Sequence, residues 1–423
     1  VTPSPEHRAA WPFRALALAL SRGQLDEDDT AVIVYDLEGL DARLAELNRL
    51  FPAGTLHAAA VKAAPLRALL ARLCRAGAGL EAASGPELHL SLRAGCPPER
   101  VVFDSPAKTL PELRQALALG VHLNADNFQE LERMDALDAG SSPAASLGLR
   151  VNPQVGEGSI AATSVAGQYS KFGEPLEKRG EIVRAFQKRP WLRGLHMHVG
   201  SQGCGIGLFT AGARALLDLG REIDRACGER RVLRLDIGGG LPVSYGPSSP
   251  APSMEDYATA LRRECPELWD GPMRAFTEFG RWMFAGQGFA AARVEYVKEQ
   301  AGQRTAVVHL GADMFLRPCY LPDTWRHELA VAAPDGTPKQ GSRSPWNVAG
   351  PLCFAGDFLA RGRELPDMAP GDWLVVRDAG AYTLSMWSRY NSRQAPKALG
   401  VEADGVEVLK ARESVEDVLR FWG

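Results

Sequence analysis

A single lysine, Lys62, interrupts the run Ala58-Ala59-Ala60-Val61-Lys62-Ala63-Ala64-Pro65, and it is the only charged side chain between His57 and Arg67. An apolar stretch that ends at a proline reads as a buried strand and its exit. Lysine is rarely buried without a partner, and desolvation lowers its pKa, giving an amine that can attack a carbonyl. A lysine snorkelling from a strand end is the competing reading. Further along, polar residues recur at the ends of other short apolar runs: Glu81 with Ser84, Asp104, Asp126, Asn152, His198 with Ser201, Asp236 before Gly238-Gly239-Gly240, and Glu278 before Gly280-Arg281. Consecutive glycines let backbone N–H groups close on phosphate oxygens, while an arginine adds charge and forked donors. Alone, a triple glycine is more often a turn.

These residues need elements to position them. Eight strand-like runs (56–61, 79–82, 100–103, 121–124, 147–151, 194–198, 232–237 and 273–277) alternate with amphipathic stretches at 65–75, 85–94, 109–119, 127–137 and 209–227. Strands alternating with helical patterns imply βαβ units around a parallel sheet. Eight units in this span predict a closed (β/α)8 barrel over 37–285, with a doubly wound open sheet as the alternative. After Gly286 the runs at 290–298, 305–310, 373–377, 398–402 and 406–410 are strand-like with few helical patterns. They predict a β-rich second domain from 286–423, joined by 1–36 through an opening strand at 31–36. The polar segment 335–343 has no periodicity and is expected to be a mobile loop.

Composition narrows the function. The 423 residues are 45% hydrophobic and 23% charged, with a net charge of −3 and no block of like charge, so neither nucleic acid nor a membrane surface is expected as a partner. Seven cysteines without a CxxC pair argue for a reduced, cytoplasmic protein lacking a disulfide frame or zinc site. The one targeting candidate, 11–20, is interrupted by Arg14 and reads better as an amphipathic N-terminal helix. No apolar stretch is long enough to span a bilayer.

In a (β/α)8 enzyme the chemistry sits at the C-terminal ends of the strands, with phosphate bound after the seventh and eighth. The triple glycine and the Glu-Phe-Gly-Arg run fall there. A phosphate site and an isolated strand-end lysine suit a cofactor held by a Schiff base and a phosphate anchor, and pyridoxal 5'-phosphate fits both. A cofactor-free lysine aldolase is the alternative.

With these motifs in order, the chain resembles the fold-type III pyridoxal-phosphate decarboxylases, the group of diaminopimelate and ornithine decarboxylases, from about residue 31 to about 400. The similarity is carried by Ala60-Val61-Lys62-Ala63, by Gly79-Leu80-Glu81-Ala82-Ala83-Ser84, by Ser170-Lys171-Phe172-Gly173 and by Gly194-Leu195-His196-Met197-His198-Val199-Gly200-Ser201-Gln202. Asp236-Ile237-Gly238-Gly239-Gly240, Glu278-Phe279-Gly280-Arg281, Gly350-Pro351-Leu352-Cys353 and Asp378-Ala379-Gly380-Ala381-Tyr382 continue it. The family's usual tyrosine before the lysine is Ala59 here, and its aspartate on the second strand is Glu81. The resemblance implies that Lys62 holds the cofactor, Glu278 pairs with its pyridine nitrogen and His198 stacks on its ring. It further implies that Ser201, Gly239, Gly240, Gly280, Arg281 and Tyr382 hold the phosphate. Cys353 would donate the proton that replaces CO2, reaching the site from the partner subunit of a head-to-tail homodimer with shared active sites.

One departure bears on substrate. Family members acting on a free distal amine carry an acid after the cysteine, where this chain has Phe354, and an unpaired buried charge is costly. The segments 311–318 and 321–327 look more similar to the siderophore branch, which decarboxylates citrate-conjugated amino acids. There Arg317, Arg326 and His327 could meet carboxylates of the small-molecule substrate, although a solvated loop is an equal reading for Arg326 and His327. The sequence therefore leads to a decarboxylase of a citrylated amino acid, with diaminopimelate decarboxylase as runner-up and ornithine or arginine decarboxylases behind it. An amino-acid racemase is disfavoured by Glu278, and a small cofactor carrier by the second domain.

Overall fold

The computed structural model describes residues 5–142, 146–246 and 250–423. The chain divides into two compact units, Arg43–Val243 with Ala251–Met283, and Val1–Ala42 with Ser244–Pro250 and Phe284–Gly423.

The first unit is a closed parallel barrel of eight strands: β1 (Leu56–Ala60), β2 (Gly79–Ala82), β3 (Val101–Phe103), β4 (His122–Ala125), β5 (Ser146–Asn152), β6 (Leu192–His196), β7 (Arg234–Asp236) and β8 (Arg274–Thr277). Every strand has two parallel neighbours, and Phe276 of β8 pairs with Leu56 of β1. An open sheet would leave two edges, so the doubly wound alternative is excluded. All five residues of β1 are buried, His57 among them with its Nδ1 2.8 Å from the Thr277 hydroxyl. The strands are those the periodicity predicts, shifted at their ends. The sixth stops at His196, so His198 lies beyond it, and Lys62 sits not on the strand but on a single 3-10 turn, Val61–Ala63.

Several polar strand exits serve the scaffold. Ser84 caps the helix Gly85–Arg93 by accepting from the Glu87 N–H, and Asn127 does the same for Phe128–Ala136. Asp126 accepts from the Gly173 N–H at 3.2 Å, and Asn152 spans the Gln154 N–H and the Gly167 carbonyl. These exits set the start of each following segment.

The second unit is β-rich. Its sheet runs Phe358–Pro366, Arg343–Ala349, Gln303–Val308, Gly288–Gln300, Ala31–Asp36, Lys397–Glu402, Gly405–Lys410, and Trp373–Val376 branches from Gly288–Gln300 to pair with Leu329–Ala332. The Ala31–Asp36 strand is antiparallel to one neighbour and parallel to the other. The helix Pro5–Ser21 lays Ala15, Leu16 and Ala19 against Val32, Val34, Phe289 and Trp373. Three strands, 329–332, 343–349 and 358–366, and the C-terminal helix Val415–Trp422 lie outside the runs that the periodicity predicts. The 335–343 loop, expected to be mobile, is anchored: Asp335 accepts from the Thr337 N–H, and Lys339 pairs with Asp372 at 2.7 Å. No helix among the described residues is long and apolar enough to cross a membrane.

Candidate active site

Lys62 follows β1 directly, and β1 pairs with β2 so that Ala60 lies opposite Glu81. That register puts the Lys62 ammonium on Glu81 Oε2, with the Lys62 side chain 42% exposed and Glu81 fully buried. The lysine is thus an ion-paired, part-exposed group and not the desolvated amine the apolar run suggests. Burial pushes the Glu81 carboxyl well above its usual range; Lys62 opposes the shift, and Asp104 and Glu278 reinforce it.

Beside this pair, three strands bring one imidazole between two acids. His196 ends β6 with its side chain fully buried, and its Nε2 lies 3.3 Å from Asp104 Oδ2 and 3.4 Å from Glu278 Oε2. Burial would raise the Asp104 carboxyl, but His196 and Lys62 outweigh it and hold Asp104 below the ordinary carboxylate range. Asp236 at the end of β7 is pushed well up by burial and by Glu278. Glu81 Oε1, Asp236 Oδ2 and Glu278 Oε1 are buried with no hydrogen-bond partner among the described residues. A buried acceptor of this kind calls for a donor, and a protonated ring nitrogen at Glu278 is one.

His198 accepts from the Gly239 N–H through Nδ1 at 3.3 Å, and burial, with Arg150 and Lys62, pushes its pKa down to about 3. It is a neutral imidazole, suited to stack on an aromatic face. Gly238 and Gly240 have left-handed φ of 68° and 95°. A Cβ on Gly239 would collide with the Glu278 carbonyl, and one on Gly240 with the Gly200 carbonyl. This cradle of close backbone admits only glycine. Next to it Arg281 Nε donates to Ser201 Oγ at 3.2 Å, and Arg281 is buried. A bare backbone concavity with a buried guanidinium and a hydroxyl fits a phosphate group.

The barrel therefore brings together Lys62, His198, Ser201, Gly239, Gly240, Glu278, Gly280 and Arg281. The remaining candidates belong to the second unit. Cys353 is exposed; its N–H donates to Asn391 Oδ1 at 2.8 Å and its carbonyl accepts from the Tyr390 hydroxyl at 3.0 Å. Asp357 ties this turn, accepting from Leu352 N–H at 2.8 Å and Ala312 N–H at 2.6 Å. Phe354 stacks on Tyr320 with ring centroids 5.3 Å apart and planes at 16°. Arg317 lies over the rings of Trp325 and Tyr382, at 4.8 and 5.2 Å. His327 gives Nδ1 to the Arg377 carbonyl at 2.7 Å and sits edge-on to Tyr245, while Arg326 is exposed. Tyr382 has a left-handed φ of 58°, a backbone state that non-glycine residues hold at a cost.

Two site residues lacked a role in the sequence reading. Arg150, on β5, has its guanidinium 4.5 Å above the Phe172 ring. It is the lone charge in an apolar run, the signal that marked Lys62. His196 was visible only as part of a motif, because its partners arrive from strands distant in sequence.

The comparisons with known proteins agree with this geometry. The family model described as "Pyridoxal-dependent decarboxylase, pyridoxal binding domain" matches residues 37–285. Diaminopimelate decarboxylase of Pseudomonas aeruginosa is 34% identical over 363 residues, spanning 85% of this chain and 84% of that protein. The enzyme of the same name from Zymomonas mobilis is 30% identical over 370 residues, spanning 86% and 85%. The crystal structure of Helicobacter pylori diaminopimelate decarboxylase complexed with L-lysine matches with a TM-score of 0.84 at 26% identity, covering 95% of this chain and 98% of that one. With a closed barrel, a glycine cradle and an orphaned carboxylate at the eighth strand, the chain belongs to the pyridoxal-dependent decarboxylases and takes pyridoxal phosphate as its cofactor.

Proposed function

We propose that this decarboxylase removes the α-carboxylate of an amino acid whose distal amine is already acylated by a polycarboxylate, of the citryl-diaminopropionate or citryl-ornithine type, in siderophore biosynthesis. The observation behind the substrate class is Phe354. It stands directly after Cys353, where a free distal ammonium would need an anion, and presents an aromatic ring that is 38% exposed. Its orientation is set locally by the Tyr320 stack and by Gly356, where any side chain would collide with the ring. Cationic Arg317 and Arg326, with His327, are supplied by the segment 316–327 and suit the carboxylates of a polyacid. A second reading, decarboxylation of diaminopimelate, is favoured by the names of the relatives at 30–34% identity.

When bound, pyridoxal phosphate supplies the electron sink for the bond broken at Cα. The chain's residues do the rest. Lys62 would hold the cofactor through its amine once it leaves Glu81. Glu278 Oε1 would accept from the ring nitrogen, and an acid there favours decarboxylation over racemisation. Neutral His198 covers the ring face. Gly239, Gly240, Gly280, Ser201 and Arg281 hold the phosphate. The phosphate role of Tyr382 and the proton-donor role of Cys353 rest on the family resemblance. The exposed Cys353 turn, rimmed by Phe354, Tyr320, Leu321 and Tyr390, suits a surface covered by a second copy of the chain.

Borohydride reduction of the purified enzyme should fix the cofactor to the peptide containing Lys62, and Lys62→Ala should lose the adduct. A label on any other lysine rejects the site. Phe354→Glu tests the substrate class, since losing or adding one charge-assisted contact is worth about 1.5–3 kcal/mol, roughly tenfold or more in kcat/KM. The variant should narrow the preference for citryl conjugates over diaminopimelate. An unchanged ratio would make Phe354 a packing residue.

A further inference from the structure

The residue this account has not used is His196. Its side chain has no exposure, and neither ring nitrogen has a hydrogen-bond partner meeting full geometry among the described residues. Nonetheless its Nε2 stands 3.3 Å from Asp104 Oδ2 and 3.4 Å from Glu278 Oε2, with those side chains 6% and 4% exposed. The ligand atoms of all three lie within 4.8 Å of one another. Facing two carboxylates, Nε2 is the ring nitrogen placed to donate.

The surrounding charges sharpen the point. Glu81, Asp104, Asp236 and Glu278 face this end of the barrel, against Lys62 and Arg150 as cations and His198 as a neutral ring. Glu81 and Asp236 are driven toward their neutral forms by burial, whereas Asp104 is held ionised. Once Lys62 is committed to the cofactor, it no longer offsets the acids as an ammonium. His196 remains within 3.4 Å of both Asp104 and Glu278.

We propose that His196 is a positioning residue: a buried imidazole whose Nε2 faces both Asp104 and Glu278 and keeps Glu278 aimed at the cofactor's ring nitrogen. The proposal rests on the reading of Glu278 as that nitrogen's partner. His196 touches neither substrate nor cofactor; it acts through the carboxylate. Asp104 meets the same Nε2 edge of the imidazole as Glu278 and so fixes the ring beside it.

Two measurements on the holoenzyme test this. Neutron diffraction of the wild-type crystal should show deuterium on Nε2 of His196, facing the two acids, and a bare Nε2 overturns the proposal. In the second, enzyme is reconstituted with cofactor carrying 15N in its pyridine ring. The wild-type signal should be that of a protonated nitrogen, and His196→Gln should move it toward the unprotonated position. The same variant should weaken cofactor binding about tenfold in equilibrium dialysis, the scale of one lost charge-assisted contact. Asp104→Asn should move both readouts in the same direction, and it carries the test if His196→Gln does not fold. A 15N position and a dissociation constant unchanged from wild type would overturn the proposal. Borohydride labelling of each variant separates the two levels: a label absent from Lys62 in the wild type sinks the underlying site, whereas a label on Lys62 with an unmoved nitrogen signal sinks only the positioning role.

Discussion

At the scale of residues, the site is a small set of charges whose balance is decided by burial. Lys62 lies against a fully buried Glu81, whose carboxyl burial pushes well above its usual range, so the lysine gives up that partner when a carbonyl takes its amine. Cys353, by contrast, is exposed and tied only through its backbone. Cys353→Ala should therefore retain the cofactor spectrum and the melting temperature while losing turnover or releasing misprotonated product; a variant with wild-type kcat would remove Cys353 from the chemistry. Lys62, Glu278 and the glycines were legible from sequence because each breaks a local pattern: a charge in an apolar run, an acid at a strand exit, three glycines where one suffices for a turn. His196 and Arg150 were not assigned, since a lone polar residue on a strand acquires meaning only when the opposing strands are known. The expectation of a desolvated lysine failed for the same reason, its partner Glu81 lying 19 positions away across a parallel register.

At the scale of elements, the strand-to-helix turns carry the function and the helices carry the spacing. Gly240, at φ 95° and against the Gly200 carbonyl, cannot accept a Cβ without moving backbone. Gly240→Ala should cost roughly 1–2 kcal/mol from the left-handed backbone alone, with the collision in addition, and should weaken cofactor binding more than it lowers the melting temperature. Equal cofactor affinity in the variant would show that the cradle is a turn and nothing more. The eight barrel strands were readable because short apolar-centred runs alternate with amphipathic helical stretches. In the β-rich unit, Arg343–Ala349 opens on two polar residues and Pro345 without a regular alternation, and Phe358–Pro366 is broken by Arg361, Gly362 and Arg363. Their pairing with each other, not local propensity, makes them strands.

At the scale of the whole molecule, the barrel closes around neutral imidazoles that titrate in mild acid once unfolded. Burial pushes His57 on β1 down to about 4, and burial with Arg234 pushes His122 on β4 to about 3. A folded pKa below the unfolded value of about 6.5 means stability present above that pH and lost as pH falls toward 4. Each imidazole should contribute a slope of up to about 1.4 kcal/mol per pH unit across that window. Urea unfolding of wild type and His57→Gln between those limits should show the variant's slope reduced by close to one proton; parallel slopes would mean His57 is not buried neutral. If two chains complete each site, mixing inactive Lys62→Ala with inactive Cys353→Ala should restore part of the activity after subunit exchange, and no recovery would argue for independent sites. The central claim is that this decarboxylase takes a substrate whose distal amine is already an amide. One competition assay decides it: wild-type enzyme with equal concentrations of carboxyl-labelled citryl-diaminopropionate, citryl-ornithine and meso-diaminopimelate, following CO2 release from each. A kcat/KM at least about tenfold higher for a citryl conjugate is the expected result, and efficient turnover of meso-diaminopimelate with both conjugates untouched would contradict the claim.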